Sequence, residues 1–273
     1  MRHTGSGEPL IFSDLPLARR IETAEAANAR GCTAIHAEAA ALDVGGGCAV
    51  FAGAESPLSH AVGLGLNGPV TEPEIDRLEA FFRGHGGKVA IELCPLADAG
   101  IVATLGKRGY RLTEFNNVLV KRLAGAAIVL TPRVRRALPD ETDVWSHTVG
   151  MGFFEEHELT TEEMDVGRAI CAMSGALCYL AVTENGELAG GAAAAVYGGL
   201  ATLFADSTIA RHRGSGLHRE LIEARLNEAL AQGCDLATAS TLPGSGSQRN
   251  YERMGFEVVY TRVTLELASS ATS

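Results

Sequence analysis

Aromatic residues are scarce: Phe, Trp and Tyr together make up 5% of 273 residues, with a single Trp. Cations are in deficit too, 23 Lys and Arg against 33 Asp and Glu, for a net charge of −10. A chain this acidic is a poor general binder of nucleic acid, because phosphate contacts need Lys and Arg, so any basic patch must be local. The six cysteines, Cys32, Cys48, Cys94, Cys171, Cys178 and Cys234, form no Cys-x-x-Cys pair, and none lies near His at zinc-finger spacing. They read as reduced, mostly buried thiols of a cytoplasmic protein without a metal site. The opening MRHTGSGEPL has no apolar signal region. One uncharged run, residues 188–205, reaches the length of a membrane span. It is built of Ala and Gly and broken by Gly198-Gly199, which predicts two buried strands around a tight turn.

What is present is globular material: 46% hydrophobic and 21% charged residues, with 32 glycines. At a typical ~150 residues per domain, the length suits two domains. The last third is the clearest. Strands are expected at 176–183, 187–196 and 200–208, with Asn185-Gly186 as a two-residue hairpin turn. A helix follows over 215–232, closed by Gly233, then a short buried strand at 235–240. Ser245-x-x-Gln248 opens a short helix that stops at Gly255, and 256–267 closes as a strand. Upstream, 141–151 and 160–173 read as helices, the second with a capping box at Thr160 and Glu163. Residues 132–139 (PRVRRALP) are either an interdomain linker or a basic loop.

The chain also repeats itself at an offset of 146 residues, which carries Gly109-Tyr110 onto Gly255-Phe256. Without gaps, 88–95 then falls on 234–241, 74–82 on 220–228, and Asn67-Gly68 on Arg213-Gly214. The fold class expected is therefore α/β, as two copies of one mixed-sheet unit, 1–130 and 131–273.

Chemistry concentrates at Arg213-Gly214-Ser215-Gly216, between a strand and a helix. Glycines there free backbone N–H groups, and a helix N-terminus favours a phosphate. Arg211, Arg213 and Arg219 add three cations between Thr208 and Arg219 with no acid among them. The loop lacks the Gly-Lys-Ser/Thr ending of a Walker loop. Hairpin-linked strands before it also exclude a dinucleotide fingerprint.

Antiparallel strands, this loop and helix, a strand, and a helix with Tyr251 four residues before Gly255-Phe256 together resemble the GNAT acetyltransferase superfamily. The matching residues are Arg213-Gly-Ser-Gly216-Leu217 and Tyr251-Glu-Arg-Met-Gly255-Phe256, and the likeness spans roughly 141–267. It implies two tandem GNAT-like domains and acetyl-CoA as the acyl donor. It further implies transfer to a small-molecule or peptide amine by direct attack on the thioester, in a monomer or homodimer acting away from membranes and nucleic acid. The donor would lie on Ser207, Thr208, Ile209, Arg211, Arg213, Gly214, Ser215, Gly216, Leu217, His218 and Arg219. Tyr251 would be the general acid; its bland alternative is packing. Asp206 either acts as the base or caps the turn before Ile209. His218 stands where the family's loop usually has Gly or Ala, and either hinders the pyrophosphate or donates to it. Trp145, His147, Phe153 and Phe154 are either core or acceptor contacts. A backbone N–H within 202–208 would stabilise the developing oxyanion.

In the first half, Asn67 stands for Arg213, Val70 for Gly216 and Leu105 for Tyr251, and residues 62–73 hold no cation. That half is expected to keep the core and lose the chemistry. Two other functions fit the same residues: a non-catalytic acyl-CoA-binding or regulatory module, and an acyltransferase with another donor or an alcohol acceptor.

Overall fold

The computed structural model describes residues 11–34, 37–125, 132–154 and 158–268. The first half runs α1 (Leu15–Gly31), β1 (Ala40–Val44), β2 (Gly47–Phe51), β3 (His60–Val62), α2 (Glu72–Gly84), β4 (Ala90–Leu93), α3 (Ala99–Lys107) and β5 (Tyr110–Arg122). The second runs β6 (Val134–Arg136), α4 (Thr142–Phe153), α5 (Thr161–Ala172), β7 (Leu177–Val182), β8 (Leu188–Tyr197) and β9 (Leu200–Thr208). It ends with α6 (Leu217–Ala231), β10 (Leu236–Thr241), α7 (Gly246–Arg253) and β11 (Glu257–Leu267).

All eleven strands form one mixed sheet, in the order β1-β2-β3-β4-β11-β5-β10-β9-β8-β7-β6. The β3–β4 and β9–β10 pairs are parallel and the rest antiparallel. The terminal strands have changed places. β5 pairs with β10 of the other half, β11 pairs with β4, and the two lie antiparallel to each other at the centre. Leu119 of β5 packs with Leu221 and Ala224 of α6, while its neighbours Val118 and Val120 face α1 through Ala18 and Ile21. Strand alternation thus seals β5 between helices on both faces. Helices α2, α3, α6 and α7 cover one face, and α1, α4 and α5 the other.

The uncharged run is β8 and β9, and no described helix is long and apolar enough to cross a membrane. All six cysteines are free thiols; five are buried and Cys171 is half-buried. Three details differ from the sequence reading. Residues 134–136 are an edge strand on β7. The turn at Asn185-Gly186 is longer than two residues. Gly186 N–H bonds to Thr183 O, and Thr183 N–H to Glu187 O, with Gly186 alone at positive φ. This is a type I turn followed by a left-handed residue, the three-residue hairpin solution. Finally, the repeat is not gapless. An offset of 146 carries Ile91 of β4 onto Ala237 of β10, whose strand partners are Ala61 and Ala201 respectively, so β3 and β9 are offset by only 140. The second half therefore has six more residues between its two parallel strands.

Candidate active site

Those extra residues build the cleft. β9 and β10 pair only as far as Leu203 and Ala239. Beyond that point β9 runs on to Thr208 without β10. Ala205 has φ 55°, the single non-glycine residue at positive φ among the described residues, and the β8–β9 register shifts between Phe204 and Ser207. This is a β-bulge, and an extra residue reverses which face the following side chains take. Ala201 and Leu203 face α6. Strict alternation would send Asp206 to the opposite face, but the bulge returns it towards α6 and α7.

Three side chains converge on Asp206, and a fourth reaches it through one of them. The guanidinium of Arg225, fully buried on α6, ion-pairs with it, and Arg225 Nη1 also lies 3.2 Å from Oδ2. The Tyr251 hydroxyl donates to Oδ2 at 2.7 Å, and His218 Nε2 lies 3.2 Å from Oδ1. Asn250 Nδ2 donates to His218 Nδ1 at 2.8 Å, completing the chain. Arg225 Nη1 also reaches Ala193 O of β8, the strand opposite the bulge, at 3.0 Å. Burial alone would push the Asp206 carboxyl up. The Arg225 charge and the His218 hydrogen bond outweigh it and hold the carboxyl well below the usual carboxylate range. For Tyr251, burial drives the phenol well above its ordinary value; the nearby Asp206 charge adds to this, while Arg225 opposes it.

A cleft of about 840 Å³ opens beside this network. Asp206, Ser207, Thr208, Arg213, Gly214, Gly216, Leu217, His218 and Arg219 line it, together with Phe153, Leu242, Ser245 and Asn250. Ile209, Arg211, Ser215 and Tyr251 are not among the lining. Arg211 turns away to Glu187, and the Ser215 hydroxyl folds back onto His212 O. Tyr251 is 1% exposed, packed edge-on against Phe256 and reached from the cleft only through Asp206 and His218. Arg213 braces the loop, donating to Thr208 O at 3.1 Å and Gly152 O at 3.0 Å. Arg219 pairs with Glu223 one turn along the helix. Trp145 is core, its indole N–H donating to Tyr179 O; Phe153 lines the cleft, and His147 is exposed.

The loop suits an anion. Gly216 caps α6 at φ 86°, and the first intrahelical bond is Glu220 N–H to Gly216 O, so the preceding amides have no helical partner. A Cβ at Gly214 would meet nothing within 4 Å, and at Gly216 only side-chain atoms at 3.9 and 4.0 Å. Space, free donors and local cations therefore fit a pyrophosphate.

Neither Arg225 nor Asn250 was singled out from the sequence. Arg225 carried a signal: it sits four residues after Leu221, a cation on the apolar stripe of α6. In the first half the gap between the parallel strands is bridged. β3 stops at Val62, Leu64, Leu66 and Val70 are buried, and Asp98 N–H bonds to Gly65 O at 2.8 Å across the gap.

Residues 144–256 match the family model described as Acetyltransferase (GNAT) family, and this part of the chain is a GNAT domain. The whole chain has the tandem GNAT fold. A GCN5-related N-acetyltransferase from Kribbella flavida aligns at 18% identity and TM-score 0.65, over 94% of this chain and 97% of that one. A tandem GNAT protein from the clavulanic acid biosynthesis pathway aligns at 15% identity and TM-score 0.59, over 95% and 98%. A GCN5-related N-acetyltransferase from Sphaerobacter thermophilus aligns at 16% and 0.55, over 84% and 76%. No curated protein matches the chain significantly. The GNAT domain supports an acyl-CoA-dependent acyltransferase activity.

Proposed function

We propose that the chain is an N-acetyltransferase that moves acetyl from acetyl-CoA to an amine, using only its second half, 131–273. The observation that carries this is the meeting, in one cleft, of an anion-binding loop with an ordered set of proton-bearing side chains. The amides of Gly214 to Gly216, the start of α6 and Arg219 hold the pyrophosphate, and Arg213 keeps the loop in place. The thioester supplies the activated acyl group. A backbone N–H on the bulged end of β9, freed where β10 departs, faces the developing oxyanion. Tyr251 keeps its proton at working pH and is the donor for the departing sulfur, in competition with Asp206. The first half, with the gap between its parallel strands bridged, contributes strands and shape without a second donor site.

One observation favours the non-catalytic reading: the Tyr251 hydroxyl is buried and already committed to Asp206. Two measurements separate the readings. Isothermal titration with acetyl-CoA is expected to give one site per chain, lost in Gly216→Glu through charge and bulk. At 100 times Kd the ligand should add about 2.7 kcal/mol of stability, seen as a thermal shift in wild type and absent in that variant. An amine panel followed by thiol release should then show turnover. Binding without turnover leaves a sensor; two equal sites overturn the inert first half.

A further inference from the structure

Resting on that functional reading, we infer that His218, oriented by Asp206, is the group that takes the proton from the attacking amine. The base is the one role that the sequence leaves without a clear occupant. Among the described residues, the titratable groups lining the cleft are Asp206, His212, Arg213, His218, Arg219 and Arg253. The arginines stay charged and take no proton. The Asp206 oxygens are occupied by Arg225, Tyr251 and His218, and its depressed carboxyl is a weak base. His212 Nε2 is buried 3.4 Å from Glu187 Oε1 without a hydrogen bond among the described residues, so no partner orients its ring as Asp206 orients that of His218. His218 is left, in the first turn of α6, its ring reaching across the gap between β9 and α7.

Its tautomer follows from its partners. An ionised Asp206 only accepts, so Nε2 carries the hydrogen. Asn250 donates to Nδ1 while its own Oδ1 receives Arg253 Nη1 at 3.3 Å, so Nδ1 holds a lone pair. The ring is thus neutral, aimed, and backed by a carboxylate that stabilises it once charged. Asp206 is itself fixed by the buried Arg225, so the dyad is anchored before any ligand arrives. The charged and titratable groups around the ring are Asp206 on β9, Tyr251 and Arg253 on α7, Arg219 and Arg225 on α6, and Arg213 on the loop.

In the reaction, the amine nitrogen uses its lone pair to form the C–N bond at the thioester carbonyl. The C–S bond breaks and its electron pair leaves on sulfur. The Asn250 amide first gives up the Nδ1 lone pair to the incoming amine; the extra proton on nitrogen then passes to Nδ1 of His218, giving an imidazolium paired with Asp206. Tyr251 protonates the thiolate; His218 then releases its proton to solvent and Tyr251 takes one back, so amine and thioester become amide and thiol with no net proton gained or lost.

The test uses the full chain and has two readouts. Long-range proton–nitrogen spectra, assigned by His218→Gln, should show the hydrogen of the neutral ring on Nε2. A neutral ring that carries it on Nδ1 overturns the proposal without reference to turnover. In thiol release from acetyl-CoA with the best amine of the panel, His218→Gln should lose about 10²–10³-fold in kcat and the acidic limb of the pH profile. Its acetyl-CoA affinity should stay within about threefold, and added imidazole should restore part of the rate to His218→Ala. Equal rates and pH profiles in wild type and His218→Gln overturn the base assignment and leave the acetyltransferase reading standing. A wild type that binds acetyl-CoA yet releases no thiol with any amine overturns both.

Discussion

Asp206 joins two helices through one carboxylate, and its substitution separates two of its roles. Asp206→Asn keeps the shape but leaves the Arg225 charge buried without a counter-ion, a loss of about 3–5 kcal/mol in urea unfolding. The pH dependence should change as well. The folded carboxyl titrates below its unfolded value of about 3.9, so its contribution is complete above that value and is lost as pH falls towards the folded one. Wild type should therefore shed stability below about pH 4, and the Asn variant should shed less over the same window. Tyr251→Phe tests a different property. It keeps the ring against Phe256 and removes the hydroxyl proton. We expect kcat for thiol release to fall about 10²-fold with acetyl-CoA affinity unchanged. An unchanged kcat with chemistry rate-limiting leaves Tyr251 as a packing and positioning side chain. At this scale the loop and glycines of the candidate cleft were legible, because they form a local pattern at fixed spacing. Arg225 and Asn250 were harder: each takes its meaning from a partner on another element.

The elements that shape the cleft meet at very short range. Gly152 ends α4 against β9, and a Cβ there would lie 1.9 Å from Ser207 Oγ and 3.1 Å from the Thr208 backbone. Ser207 Oγ in turn donates to Val149 O at 2.7 Å, so helix and strand are in direct register. Gly152→Ala must push α4 away. We expect about 1–3 kcal/mol of destabilisation in thermal melts. Acetyl-CoA binding should weaken too, because Arg213 loses its anchor on Gly152 O. Helices and hairpins were legible because periodicity, caps and turn residues are local signals: Thr160 and Glu163 do form a reciprocal capping box. The bulge at Ala205 was not legible. Nothing in the residues Thr202 to Asp206 (TLFAD) marks it; it lies where β10 departs and the β8 pairing shifts register. The six-residue slip in the repeat escaped for the same reason, since strand register is written in pairing and not in spacing.

The molecule as a whole is two similar halves locked by their last strands. Each half offers a central strand, β4 or β10, whose outer edge is covered by the other half's terminal strand. Sequence patterning gave the strands but not this exchange, because an alternating strand such as 256–267 fits either edge equally well. The near-symmetry makes a prediction. Residues 131–273 expressed alone lack β5, and their β10 edge is bare. Two such copies can satisfy each other, with β11 of each lying on β10 of its partner and the two β11 strands paired between them. Light scattering should then show a dimer. A folded monomer at micromolar concentration would mean that β11 can turn back onto its own half.

The exchange also sets a timetable for synthesis. β4 waits for Val263 and its neighbours, which pair with Leu93 and its neighbours. About 170 residues separate these partners in the chain, so at ~5–20 residues per second the ribosome needs roughly ten to thirty seconds to deliver the second after the first. Throughout that interval the edge of β4 lacks its final partner, and can be covered only by β5 turned back onto its own half or by another chain. Non-local pairing of this kind is slow to form even in a finished chain. Expression yield in this protein should therefore depend less on its final stability than on how well that edge is kept from pairing with a neighbouring nascent copy.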